Sequence, residues 1–213
     1  MKNVIFLHVA TIGSYQEILM EFFESFEKYN IYDNIDNIFI NIAGNGEIVI
    51  PNKKEIVIQK TRSKLTDFEF STLNILRNYC FKNDVNVLYM HTKGASTPYN
   101  ICINEWRQYM LFFNIKEHLE IIQQLNYYDA CGVDFVDDPV KHFSGNFWWS
   151  KSSHIKTLLI PESLPEIISH RHKCEFWICS NKHGKYKSLY NSDINVYQRH
   201  LTRFPKEKYA NDN

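Results

Sequence analysis

No stretch of this chain reaches the roughly 18 consecutive apolar residues that a membrane-spanning helix needs. Its first residues, MKNVIFLHVATIG, carry one lysine and only a short apolar run. A cytoplasmic protein acting on soluble substrates is therefore expected, in a bacterial cytosol or in the host cytoplasm for a viral protein. An excess of charge is also missing, since 24 Lys and Arg balance 24 Asp and Glu. Without a basic field to neutralise a phosphate backbone, nucleic acid is excluded as the main partner. The five cysteines (Cys80, Cys102, Cys131, Cys174 and Cys179) are odd in number and lack CxxC spacing, which argues against a disulfide framework or a zinc knuckle. Reduced, buried thiols are expected. There is no GxGxxG and no GxxxxGK[ST], so the usual dinucleotide and P-loop fingerprints are absent. No internal repeat or low-complexity linker interrupts the chain.

A composition of 44% hydrophobic and 15% aromatic residues suits a globular protein with an aromatic-rich site. At 213 residues the chain can bury one full core. The expectation is a single domain over 1–204, with 205–213 a frayed polar tail that would serve as a linker if further domains follow. Apolar runs of strand length fall at 3–10, 36–44, 55–61, 85–91 and 129–135, with an aromatic strand or loop at 142–150. Helical spacing falls at 14–30, at 66–83 behind a cap at Thr66 or Asp67, and at 99–125 as one long or two abutting helices. Shorter helices are expected from 152–159 and 169–181. Strands alternating with helices predict a three-layer α/β/α domain around a mainly parallel sheet.

In open sheets of this kind ligands bind beyond the carboxyl ends of the strands. The fourth strand ends in LYMHTKGAS, which places His91, Thr92 and Lys93 at its tip, with Gly94 leaving room for a close approach. An ammonium beside two hydrogen-bonding groups suits a diphosphate. A capped strand end with a solvated lysine would look the same.

The order VLYMHTKGAS, NEWRQYM, DACGVDF, HFSGNFWWSKSSHI, CEFWI over residues 66–180 resembles a set of GT-A-like glycosyltransferases. That set includes bacterial rhamnan-synthesis-type proteins and the N-terminal glycosyltransferase domain of a multidomain chlorella-virus enzyme. The resemblance implies a nucleotide-diphospho-sugar transferase fold, a nucleoside-diphosphate sugar such as a UDP-sugar as donor, and a glycan acceptor. The sugar moved would be a hexose or a deoxyhexose such as rhamnose. Such enzymes commonly hold Mn²⁺ or Mg²⁺ with an Asp-x-Asp at the end of the fourth strand, where this chain has His91-Thr92-Lys93. A metal-independent site is therefore favoured, or one whose metal is held elsewhere, with Asp134, Asp137 and Asp138 the other carboxylates in view.

Transfer to a hydroxyl with inversion needs a base. Glu175, set among aromatic neighbours that would desolvate it, is the first candidate and Asp134 the second. Indoles stack on sugar rings, so one of Trp148 and Trp149 is expected in the acceptor site and the other in the core, with Asn146 bonding sugar hydroxyls. Arg107 would return over the diphosphate, and Thr11, Glu69 and Thr72 would line the nucleotide pocket by fold analogy. The basic loop carrying His183, Lys185 and Tyr186 is a candidate lid. Two rivals remain: a non-catalytic carbohydrate-binding or assembly module with a degenerate transferase fold, and a phosphoryl-transfer or hydrolytic enzyme.

Overall fold

The computed structural model describes residues 1–52, 57–166 and 168–210. In chain order its strands and helices are β1 (Lys2–Ala10), α1 (Tyr15–Lys28), β2 (Asn37–Ala43), β3 (Val57–Ser63), α2 (Phe70–Lys82), β4 (Val85–His91), α3 (Ile101–Lys116), α4 (His118–Gln124), β5 (Ala130–Gly132), β6 (Phe135–Val136), β7 (His142–Phe143), β8 (Trp148–Lys151), α5 (Ser152–Ile155), α6 (His172–Phe176) and β9 (Tyr186–Ser188). Short 3-10 turns lie between several of them. The expected third strand began at 55, and its first two residues lie outside the described residues.

Seven strands form one sheet in the order β3-β2-β1-β4-β8-β5-β9, parallel throughout except for β8, which runs antiparallel to both β4 and β5. Strands β6 and β7 make a separate two-stranded ribbon. The three-layer α/β/α architecture with a mainly parallel sheet is thus the one the chain adopts. Period-two alternation on β1 sends Ile5, Leu7 and Val9 to the layer of α1, α3 and α4, and Val4 and Phe6 to the layer of α2, α5 and α6. Helix α1 meets the first layer with Ile18, Leu19, Phe22, Phe23 and Phe26, all buried. Burying each such side chain contributes about 1.5–3 kcal/mol. Both faces of the sheet are therefore dry. The five cysteines are free and buried within these layers.

The chain leaves β1 outward to β2 and β3, then returns to place β4 on the other side of β1. That reversal is the topological switch point of the sheet, where a crevice opens at the carboxyl ends. Because β8 is antiparallel and Tyr89 pairs with Trp148, the segment 144–147 enters at the same end as the tip of β4.

Three details differ from the sequence reading. Helix α2 begins behind Glu69 and not behind Thr66 or Asp67, because 65–67 form a separate 3-10 turn and Phe68 reverses the chain at φ 48°, ψ −139°. A ninth strand pairs with β5, its three residues Tyr186–Ser188 being too few and too polar to show a pattern. Residues 205–210 are packed against α3, with Tyr209 at 5.3 Å from both the Tyr109 and Phe112 rings and Ala210 buried. Among the described residues no helix is long and apolar enough to cross a membrane.

Candidate active site

The tip of β4 is built on its neighbours. Thr92 is buried, its N–H donates to His8 O over 3.0 Å, and its Oγ1 accepts from the Ala10 N–H over 3.1 Å. The threonine hydroxyl therefore ties β4 to β1 and is not offered to a ligand. Gly94 has φ +86°, and a Cβ there would stand 2.8 Å from Ile103 Cγ2, so its glycine answers to α3 packing and not to a ligand's approach. Arg107, also buried, donates from Nη1 to Lys93 O over 3.0 Å and pairs through Nη2 with Glu21 at 2.9 Å. It fixes the loop from behind. Its guanidinium, expected over a diphosphate, is engaged by Lys93 O, Asn104 Oδ1 and Glu21.

Lys93 is the exception, half-buried, with its ammonium 4.0 Å from the centroid of the Trp106 ring. Arg199 lies 5.5 Å from the same ring. Burial lowers the Lys93 pKa below its ordinary value, against Glu175 and Glu69, which hold it up.

Beside it, Glu69, Tyr89, His91 and Asn146 converge. Tyr89 and His91 share one face of β4 because they are two residues apart. Glu69 Oε2 accepts from the Tyr89 hydroxyl over 2.6 Å and from Asn146 Nδ2 over 2.7 Å. His91 Nε2–H donates to Gly145 O over 3.0 Å, leaving Nδ1 4.0 Å from Glu69 Oε1. Burial pushes the Glu69 carboxyl up, but His91, His8 and the bonds from Tyr89 and Asn146 outweigh it and hold the pKa below the usual carboxylate value. Burial likewise lowers His91 despite Glu69, so the ring is neutral near pH 7. Tyr89 was not singled out in the sequence, although its alternation with His91 was visible there.

Glu175 projects from α6 with Oε1 accepting the Gly145 N–H over 2.8 Å, while Oε2 has no hydrogen-bond partner among the described residues. It lines a cleft of about 570 Å³ together with Trp106, His142, Ser144, Phe176 and Tyr197. His142, Ser144 and Tyr197 were not among the candidates named from sequence. A half-buried carboxylate with one oxygen anchored and the other free is a good proton acceptor in a cleft.

The remaining candidates are elsewhere. Asp134 (φ 50°) is buried beneath Arg199 in an ion pair, and its carboxylate also accepts from the Ser192 N–H over 2.7 Å and from Ser192 Oγ over 3.1 Å. Those bonds occupy both of its oxygens. Thr72 is buried in a polar network where its Oγ1 lies 2.7 Å from His8 Nδ1 and accepts from Asn41 Nδ2 over 2.9 Å. Thr11 Oγ1 donates to Ala43 O over 3.0 Å and accepts from Gly46 N–H over 3.2 Å, joining the ends of β1 and β2. Trp148 and Trp149 are both 0% exposed, one in each helical layer, with their indole N–H groups on Asn146 Oδ1 and Asn114 O. The tryptophan expected in the acceptor site is therefore core, because helices cover both faces of β8. The loop at 181–185 sits at the amino end of β5, its Lys185 N–H on Asp129 Oδ2, and so lies at the end of the sheet away from the cleft. It is not placed to act as a lid.

The tip of β4 does not make a divalent-cation site of the Asp-x-Asp kind. An ammonium on an indole and a buried hydroxyl stand where carboxylate ligands would be needed. Among the described residues no three His, Cys, Asp or Glu side chains are grouped to hold a metal.

Residues 4–199 match the model of a family described as a domain of unknown function, DUF8361. The chain belongs to the DUF8361 family. No curated protein matches this DUF8361 chain. Solved structures do, among them the crystal structure of 4-diphosphocytidyl-2C-methyl-D-erythritol synthase, at 13% identity and a TM-score of 0.46 over 98% of this chain and 95% of that one. That likeness is too distant to speak to chemistry.

Proposed function

We propose that the protein is a glycosyltransferase that moves a hexose or deoxyhexose from a nucleoside-diphosphate sugar to a glycan hydroxyl. The observation that carries the reading is that, near the carboxyl end of β4, the half-buried Lys93 ammonium stacks on Trp106, a wall of the cleft that Glu175 also lines, and feels the Glu175 charge. Lys93 supplies the positive charge that stabilises a leaving diphosphate as the bond from the sugar's C1 to the phosphate oxygen breaks. Glu175 takes the proton from the acceptor hydroxyl as its oxygen bonds to C1. His91, Glu69, Tyr89 and Asn146 form a fixed polar wall beside them. The resemblance in sequence names the reaction class. The donor's Mn²⁺ or Mg²⁺, if one accompanies it, has no carboxylate pair waiting at this tip.

A carbohydrate-binding module without chemistry is less well supported, since neither Trp148 nor Trp149 offers a stacking face. The test is a thermal-shift panel of UDP, GDP, CDP, dTDP and their sugars, each with Mn²⁺, Mg²⁺ or chelator. A ligand bound only by the folded state at a hundred times its Kd adds about 2.7 kcal/mol of stability. Stabilisation by one nucleotide family, lost in Lys93→Ala, is expected. A folded protein that responds to none of them, or a Lys93→Ala variant that responds as wild type does, sinks the reading.

A further inference from the structure

Two residues that line the 570 Å³ cleft each carry a buried polar atom with no hydrogen-bond partner among the described residues. Ser144 is 1% exposed and its Oγ is unbonded, and the indole N–H of Trp106 is unbonded as well. An unmet buried donor or acceptor is destabilising, so such atoms mark a place where a ligand gains by supplying the missing bonds. The other polar groups there mix donors and acceptors, with Ser169 Oγ 2.8 Å from His172 Nδ1 and the Tyr197 hydroxyl donating to Asp138 over 3.1 Å. Glu175 Oε2 has no hydrogen-bond partner among the described residues, and His142 donates from Nδ1 to Val140 O over 2.6 Å. Pro139, Val140, Ile168, Phe176 and Val196 complete a largely apolar wall.

This inventory selects a ligand. A phosphate or carboxylate would bring a second negative charge against the Glu175 carboxylate. A hydroxyl both donates and accepts, and so can meet the Trp106 N–H, the Ser144 hydroxyl and the Glu175 carboxylate alike. An apolar wall beside such groups suits the C–H face of a sugar ring. We infer that this cleft is the acceptor subsite and that it takes a neutral pyranoside, one hydroxyl edge meeting Ser144, Trp106 and Glu175. The word acceptor rests on the transferase reading, whereas the sugar site does not. The site moves from the buried Trp148–Trp149 strand to the opening framed by 139–144, 168–176 and 196–197.

Saturation-transfer NMR on the full chain tests this, with methyl glycosides of neutral hexoses and deoxyhexoses, methyl glucuronide and inorganic phosphate as probes. Neutral glycosides are expected to bind and the two anions not to. Val140→Trp, which fills the cleft away from Lys93, is expected to abolish the signal, and Ser144→Ala to weaken binding about tenfold. Ile168→Trp serves as the blocking variant if Val140→Trp does not fold. Silence from neutral glycosides with folded wild type, preference for either anion, or an unchanged signal in the blocking variant overturns the inference. Glycoside binding with no nucleotide response removes the transferase reading and leaves the sugar site. A Lys93-dependent nucleotide response without glycoside binding does the reverse.

Discussion

Glu175 and His91 are joined through the two sides of one residue: the Gly145 N–H donates to Glu175 Oε1 over 2.8 Å, and the Gly145 carbonyl accepts from His91 Nε2 over 3.0 Å. The carboxylate on α6 and the imidazole on β4 are thereby held in register across the sheet end, although neither touches the other. Each can be altered with a defined expectation for the loop between them.

Glutamine at 175 keeps a carbonyl oxygen for the Gly145 N–H and removes the carboxylate proposed as the base. Glu175→Gln is expected to cost about 1 kcal/mol of stability or less. Glycosyl transfer should fall by about 10²–10⁴-fold, the usual range for a lost general base. Activity with the donor that the thermal-shift panel identifies is the measurement. Wild-type turnover in the glutamine variant would remove Glu175 from the reaction.

His8 gives the fold a pH dependence with a fixed sign. Burial holds its pKa near 4 against an ordinary 6.5, with Glu69 opposing and His91 adding to the effect. Between those values the unfolded chain carries a proton that the folded one does not, so stability is full above pH 6.5 and is lost as pH falls toward 4. The loss is on the order of 3 kcal/mol by 1.36 kcal/mol per unit. Glu69, whose folded pKa is also depressed, adds acid lability below its ordinary value. Urea titrations at steps from pH 7 to 4 should show the slope, and His8→Asn should reduce it by one proton. An unchanged slope in that variant would show that His8 is not its source.

The Asp134–Arg199 pair reads as an anchor for the segment 190–204, which brings Val196 and Tyr197 to the cleft. Removing one partner of a buried pair leaves the other charge uncompensated, at about 3–5 kcal/mol. Asp134→Ala and Arg199→Met are each expected to destabilise by that order, and the double variant by less than their sum. Chemical denaturation of the four proteins closes the cycle. An additive double variant would show the two charges to be uncoupled.

The strands were legible because each core strand is a nearly unbroken apolar run between helices of 3.6 periodicity, as in Val4 to Val9 and Val85 to Met90. What the sequence withheld were events at a distance. Glu69 meets Asn146 across 77 positions, and Phe68 turns the chain at a positive φ that no residue type there announces. Thr66 and Asp67 look like caps because their side chains are capping types, yet the helix waits until that turn is complete. The paired tryptophans misled because alternation assigns faces but not covers, and here helices cover both. His91, Lys93, Asn146 and Glu175 were candidates by residue type, by position at a strand end or among aromatics, and by resemblance. Their grouping needed the fold.

Gly145 is the residue on which the site geometry turns most directly. Its φ of +95° lies where side chains are disfavoured, and an added Cβ would stand 2.3 Å from Met110 Sδ and 3.1 Å from Trp106 Cζ2. Met110 is fully buried between α3 and the sheet and has little room to yield. Overpacking of this kind costs about 1–3 kcal/mol. The strain would also shift the two peptide groups that hold His91 and Glu175. Gly145→Ala is therefore expected to lower the unfolding midpoint in urea and to reduce turnover more than the stability loss explains, because the folded fraction would still carry a displaced base. Measuring both on the same preparation separates the effects. Full activity per folded molecule would mean that the Gly145 bonds hold the loop without setting the position of Glu175.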